Sequence, residues 1–368
     1  MFLKALQIGG CILLSLFGGR DETCRRQRRG SETTQAPHPR PQPRPPETTP
    51  VPPPQSPHSC RDGLTLRVRK NVNSLTSQER RRLDTALRAT IRSREYQKIG
   101  NFHGAPRTLC RWLPDQICCP HGDIGFLPWH RLLMVHMEDE LGEALPYWDW
   151  TEYRRVPSLW RNIQGPIQQP PGGRRLLGGC SRNTFTSRNS RYRIRPARLK
   201  NQVRHALRAE TFEAFSDRLS QPHNALHNDM GCDMLFNDIS AYDPLFYLHH
   251  TYVDYVFAFW QELQLLRGHT THNNNVPRRR RGLTRPLAPF TNRRVNKKPV
   301  TLRNNRGIDT FEYKTNYCYQ YQDLKFNGLT PQEFHRRRSS TCPLQVCFIL
   351  FDRLAPLFCP IFISCFEC

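Results

Sequence analysis

The placement of the histidines constrains this chain more than anything else in it. "QPHNALHND" sets His223 and His227 four residues apart. On an α-helix that spacing stacks two imidazoles on one face, where they suit a single metal ion. "FYLHHTYVD" adds His249 and His250. Adjacent helical residues point about 100° apart, so only one of the two is expected to join the pair. Asp254 follows His250 by four and is expected to accept that ring's other N–H and fix its tautomer, which favours His250. A further triplet is read from His103 in "NFHGAP" with His121 and His130 in "CCPHGDIGFLPWHR". Two sets of three imidazoles without a carboxylate point to two borderline-soft ions, for which copper, zinc, iron and nickel all qualify. A zinc hydrolase is disfavoured, because no carboxylate base stands at zincin spacing.

Residues 1–19, "MFLKALQIGGCILLSLFGG", read as a secretory signal peptide. Lys4 precedes an apolar run that is too short to span a bilayer comfortably. Residues 20–58 form a Pro/Arg-rich linker, with eleven prolines between Pro37 and Pro57, a composition that cannot bury a core. A histidine-bearing folded domain is expected over 60–335, followed by a Cys-rich apolar tail over 336–368. Five of the last 27 residues are cysteines, but Asp352, Arg353, Pro356 and Pro360 interrupt the apolar run, so no membrane span is assigned there. Of fourteen cysteines, Cys11 leaves with the signal. The remaining thirteen leave at least one sulfur outside the disulfides expected of an extracellular protein.

The net charge of +24 comes largely from arginine, in runs at 25–30, 79–83 and 278–282. It favours acidic partners such as an acidic extracellular matrix. No nucleic-acid motif with interleaved aromatics is present, so nucleic acid is not expected as a partner. Arg278–Arg281 is a candidate site for processing proteases, and no Asn-x-Ser/Thr acceptor occurs.

The fold is expected to be mainly α. Thr76 and Glu79 make a capping box that opens a helix running to about Arg94, with Leu83 and Leu87 on its inner face. Further helices are expected over 132–145, 197–219 and 249–266, the last apolar on most sides as a buried helix would be. Residues 157–200 read as a long irregular loop.

"GFLPWHR", "LPYWDWT" (145–151), "HNALH" (223–227) and "YDPLFYLHHTYVDYVFAFWQ" (242–261) resemble the signatures of type-3 copper proteins: tyrosinases, catechol oxidases and molluscan hemocyanins. "VRKNVNSLT", "PLAPF" and "YCYQYQDLKFNGLT" extend the molluscan-type resemblance over about 66–335. It implies a four-helix bundle holding a dinuclear copper centre with long irregular loops. Two copper ions would be the cofactors, one on His103, His121 and His130, the other on His223, His227 and His250, with dioxygen bound between them. It also implies a thioether from Cys119 to His121 and a disulfide between Cys110 and Cys118. Removing Cys119 from the thirteen leaves an even number.

In tyrosinases an Asn at the position of Asn224, with an upstream Glu, orients a water that takes the phenol proton. That makes Asn224 the candidate catalytic residue, while Glu210 and Glu213 fit the Glu's spacing poorly. Asn224 and Asn228 are expected at the pocket mouth. Only 33 residues follow His335, too few for a β-sandwich of roughly 100. No C-terminal β-sandwich is therefore expected, and the site should be open. The expected protein is a secreted, extracellular phenoloxidase. It would turn mono- or o-diphenols, free or as tyrosine and dopa residues of structural proteins, into o-quinones with dioxygen, for cross-linking or pigmentation. A hemocyanin-like oxygen-binding protein and a non-catalytic matrix component are the alternatives.

Overall fold

A short strand near each end of the folded region ties the chain together. β1 (Arg67–Arg69) pairs in parallel with β6 (Tyr319–Tyr321), setting Arg67 against Tyr319 and Arg69 against Tyr321. The computed structural model describes residues 65–104, 117–122, 125–167, 184–269, 287–288, 290, 294–295, 298–299, 314 and 317–340. The expected signal peptide, linker, Arg278–Arg281, Cys110 and nearly all of the tail lie outside those residues.

Helix α1 (Ser77–Arg92) starts at the predicted capping box. The Thr76 side chain accepts from the Glu79 N–H, and the Glu79 carboxylate accepts from the Thr76 N–H at 2.8 Å. The helix stops at Ser93, and α2 (Arg94–Gly104) carries His103 in its last turn. Gly100 lets α2 approach Tyr242, whose ring would lie 2.4 Å from a β-carbon at that position.

Helix α3 spans Phe126–Leu141, beginning six residues before the expected start. Pro128 falls in its first turn, where a missing N–H costs no helical hydrogen bond. Gly142, at φ +66°, ends it in the left-handed region. The single helix expected over 197–219 is two: α4 (Pro196–Leu207) and α5 (Phe212–Met230). Thr211 restarts the chain by accepting from the Ala214 N–H at 3.2 Å. Helix α6 (Pro244–Leu266) opens on an Asp243 cap and is buried on nearly every side. Helix α7 (Pro331–Ser340) packs against it.

Helices α2, α3, α5 and α6 form the bundle. α3 packs on α2 and α6, and Phe212 and Phe215 of α5 lie against Phe257 and Trp260 of α6. The remaining strands are two residues each. β2 (Ile117–Cys118) runs parallel to β3 (Leu287–Ala288), and β4 (Arg294–Val295) runs antiparallel to β5 (Lys298–Pro299). No β-sandwich occurs among the described residues. None of their helices is long and apolar enough to cross a membrane.

Behind the bundle centre lies a buried ion cluster. Arg69 grips Glu138 through two bonds of 2.8 Å and reaches Asp254 at 2.9 Å. Asp254 also accepts from Arg131 and from the hydroxyls of Tyr319 and Tyr321 at 2.6 and 2.7 Å. Burial alone would raise the Asp254 carboxyl, but Arg131, Arg69 and the hydroxyls of Tyr319 and Tyr321 together outweigh it and hold the group below its ordinary value. Two buried carboxylates thus face two buried guanidiniums, joining β1, α3, α6 and β6 at one point.

Candidate metal centre

Two histidine groups face each other inside the bundle. His103, His121, His130 and the sulfur of Cys119 make one; His223, His227, His249 and His250 make the other. Within each group the potential ligand atoms lie within 4.8 Å of one another. The groups meet where His130 stacks on His250, with ring centroids 4.5 Å apart and planes 9° off parallel.

The hydrogen bonds decide which nitrogen each ring presents. Nδ1 of His103 donates to the Asn237 carbonyl at 2.8 Å, that of His130 to Phe126 at 2.8 Å, and that of His227 to Met234 at 2.6 Å. His121 Nδ1 lies 3.2 Å from the Cys119 carbonyl, and His223 Nδ1 2.8 Å from Asn224 Oδ1. A proton held on Nδ1 leaves Nε2 with its lone pair, the form that binds a metal. Nε2 of His130 and of His223, and both ring nitrogens of His249 and His250, are buried without a hydrogen-bond partner. Such atoms are costly unless something occupies them. His103 Nε2 lies 3.2 Å from His121 Nε2, and two lone pairs at that distance suit a cation between them. Burial, followed by the neighbouring rings, depresses His103, His130, His223, His249 and His250, and His227 is pushed down to about 4 chiefly by burial. Those six rings are therefore held neutral, and the imidazole nitrogens of the site fit copper.

All six predicted ligands come together, with two departures from expectation. The first is His249, set aside on angular grounds, whose ring nitrogen reaches the second group as well. The second is Asp254, which does not orient His250. Its carboxylate is taken by two guanidiniums and two phenols, stronger partners than a neutral imidazole, and His250 keeps both nitrogens unpartnered. The proton acceptors that do fix the rings are mostly backbone carbonyls, which no side-chain pattern reveals. Two aromatic walls were also unforeseen. The Phe246 ring centroid lies 4.0 Å from that of His250 and 4.8 Å from His103, while Phe126 stands 4.8 Å from His223 and 4.9 Å from His130. Phe246 precedes His250 by one helical turn, a spacing that would have found it.

Cys119 is free and buried. Its φ of +40° is unusual for a residue with a β-carbon, and its sulfur sits 3.9 Å from His121 Nδ1. Burial pushes the thiol far up from its ordinary value. Cys232 and Cys318 are disulfide-bonded.

The centre is not evenly enclosed. His121 is exposed, His227 half-buried, and His103, His130, His223, His249 and His250 are buried. Asn224 and Asn228, each directly following one of the two histidines of α5, are exposed. Glu210 and Glu213 lie far from it. Glu213 is in the first turn of α5, about 15 Å of helix away from His223, and Glu210 faces Arg338.

A helical bundle that turns two sets of imidazole lone pairs toward each other defines a dinuclear metalloprotein. The common central domain of tyrosinase matches residues 93–206 and 177–263. Unit G of the beta-C hemocyanin chain of Helix pomatia is 33% identical over 289 residues, covering 73% of this chain and 69% of that unit. The G-type hemocyanin of Enteroctopus dofleini is 31% identical over 303 residues, 74% of this chain but only 10% of that much longer one. A hemocyanin functional unit from octopus superposes with a TM-score of 0.59 at 29% identity, covering 75% of this chain and 73% of that one. The chain belongs to the type-3 copper family of tyrosinases and hemocyanins, which binds two copper ions.

Proposed function

We propose that the chain is a secreted type-3 copper phenoloxidase. It oxidises catechols, and monophenols more slowly, to o-quinones with dioxygen. The observation that carries the reading is the uneven enclosure of the centre. On the His121 side, among the described residues, His121 reaches solvent, and exposed Asn224 bonds to His223, whose ring centroid is 6.4 Å from that of His121. A planar phenol would approach from the side of exposed His121 and Asn224.

His103, His121 and His130 would hold one copper, and His223, His227 and His250 the other. When bound, the two coppers supply electron acceptance and the place where dioxygen is reduced to water, one dioxygen serving two catechols. The protein's own work is positional. Carbonyls of Asn237, Phe126 and Met234 keep three rings presenting Nε2. Phe246 and Phe126 exclude water beneath and beside them. Asn224 accepts from His223 through Oδ1, which leaves its NH2 to hold the phenol oxygen or a water that takes its proton. With Glu210 and Glu213 remote, that water lacks a carboxylate partner from either, so catechols are favoured over monophenols. A thioether from Cys119 to His121 would lock the one exposed ligand, and a Cys110–Cys118 disulfide would brace the same turn. Acidic matrix and tyrosine- or dopa-bearing proteins are the partners this reading implies.

The identity to hemocyanins supports a second reading, oxygen binding without turnover. Oxygen uptake by the copper-loaded full chain separates the two. Uptake with quinone colour from catechol, slower from a monophenol, supports the enzyme. Reversible oxygen binding without quinone, with two coppers per chain confirmed, overturns it.

A further inference from the structure

Helix α6 meets α5 through Phe212, Phe215 and Phe257, and the walls beside the histidines are Phe126 and Phe246. Toward residues 147–150 the rings are of another kind. Trp150 lies 5.8 Å from His249, which stacks on His223 at 5.1 Å. Tyr252 lies 4.9 Å from Trp150, Tyr255 5.5 Å from Tyr252 and Tyr147 4.4 Å from Tyr255, all between ring centroids. At these separations each ring touches the next. Tyr252 and Tyr255 share a face of α6 by their spacing of three. Tyr147 and Tyr255 then line a surface cavity of about 480 Å³, together with Asn71, Asp149, Asp323 and Lys325. An unbroken file of Trp and Tyr thus runs from the histidine centre to solvent.

Packing alone does not call for these residue types. A buried indole N–H or phenol hydroxyl costs free energy unless it is hydrogen-bonded, and the Trp150 N–H has no partner. Tryptophan and tyrosine differ from phenylalanine in giving up one electron far more readily. The polar atoms suit that use. Trp150, with no acceptor on its N–H, passes an electron without moving a proton. The Tyr252 hydroxyl lies 3.2 Å from that of Thr151 and within hydrogen-bond reach of the Asp149 carboxylate, which is ready to take its proton. Tyr147 borders the cavity, where its proton passes to solvent. The tyrosines on the other side of the centre lead nowhere. Among the described residues the ring contacts of Tyr247 are with Phe246 at 5.4 Å and Tyr96 at 6.0 Å, and both tyrosines are buried.

We propose that Trp150, Tyr252, Tyr255 and Tyr147 form an electron relay that joins the histidine centre to this cavity and discharges oxidising equivalents left at the centre when no phenol is bound. The relay needs the two coppers and is independent of phenoloxidase turnover. The oxidant is hydrogen peroxide, the two-electron reduction product of dioxygen. At each step one electron moves inward and the radical moves outward. Trp150 gives up an electron and regains one from Tyr252, whose proton passes to Asp149. Tyr252 is restored by an electron from Tyr255 and by the proton held on Asp149, and Tyr255 is restored from Tyr147. Tyr147 ends as a neutral radical, its proton released in the cavity. A small reductant of the phenol or ene-diol class there returns one electron and one proton to it. Two passages deliver two electrons, and one peroxide with two protons from solvent becomes two waters.

The copper-loaded full-length chain, with two coppers per chain confirmed, is mixed with hydrogen peroxide and a nitroso spin trap, and no phenol is added. Peptide mass spectrometry locates the trapped radical, and freeze-quench electron paramagnetic resonance reads it directly. The unmodified chain is expected to show a tyrosyl signal and to carry the trap on Tyr147, and the copper-free chain to show neither. Tyr252→Phe keeps the ring and removes the hydroxyl. It is expected to retain two coppers and to lose the label on Tyr147. Trp150→Phe cuts the relay at its inner end and is expected to give the same loss. Tyr247→Phe, off the relay, is expected to keep the label. A label on Tyr147 that survives both cuts, or that is lost equally in Tyr247→Phe, overturns the relay. So does equal labelling of the copper-free chain, which would mean that peroxide attacks from bulk solvent.

Discussion

His249 and His250 occupy the same helical turn but different surroundings. The His250 ring lies between the two groups, 4.5 Å from His130 and 4.9 Å from His223, above Phe246. The His249 ring stacks on His223 at 5.1 Å and is flanked by Trp150 at 5.8 Å. The first position suits the ligand proposed for the second copper. Replacing His250 with Gln is expected to lower copper content to about one ion per chain, since a three-imidazole site loses a third of its donors. His249→Gln is expected to leave two. Atomic absorption on the purified variants decides the matter, and the reverse pattern would make His249 the ligand. The sequence brings both histidines into view, and the 100° rule chooses between them, but both rings reach the second group. Side-chain torsions swing imidazole nitrogens by several ångströms, so Cβ direction is a weak guide to what a ring can reach.

Elements were legible where local chemistry sets them and illegible where distant partners do. The capping box at Thr76 and Glu79 placed the start of α1 to the residue. The break between α4 and α5 was also local, at Thr211, but the surrounding helical periodicity masked it. Asp254 was misassigned for a different reason. Its spacing from His250 is right for a hydrogen bond, yet its partners Arg69, Tyr319 and Tyr321 come from strands at opposite ends of the domain. No window of sequence contains that cluster. Its role is to pin β1 and β6 against α3 and α6, with Arg69 seated 3.6 Å over the Tyr319 ring. Asp254→Asn keeps the shape and removes the charge that two buried guanidiniums need. Breaking a buried pair from one side costs about 3–5 kcal/mol. Urea unfolding of the copper-free protein is expected to show a loss of that size. A change below about 1 kcal/mol would mean that the cluster is solvated or compensated.

At the scale of the whole molecule, the centre is a knot of imidazoles drawn from four helices and one turn. Their ordinary charge state near neutrality is what folding must overcome. Each buried ring is depressed by burial below its ordinary 6.5, with His227 at about 4. The unfolded chain therefore binds more protons than the folded one between those values. The sign follows from linkage. The stability contributed by keeping the rings neutral is fully present above about pH 6.5 and is lost as pH falls toward about 4. For His227 alone the loss is at most on the order of 3 kcal/mol, and the other rings add to it. Copper acts in the opposite direction. It occupies the Nε2 positions in the folded chain only, and at a free concentration a thousandfold above its Kd it adds about 4 kcal/mol. The copper-free protein should accordingly lose thermal stability steadily from pH 7 to pH 4.5, whereas the copper-saturated protein should hold its Tm until acid displaces the metal and then fall steeply. Parallel thermal melts of both forms across that range test this. A flat profile for the copper-free form would mean that the rings are hydrated rather than buried, and that the bundle alone does not preorganise the site.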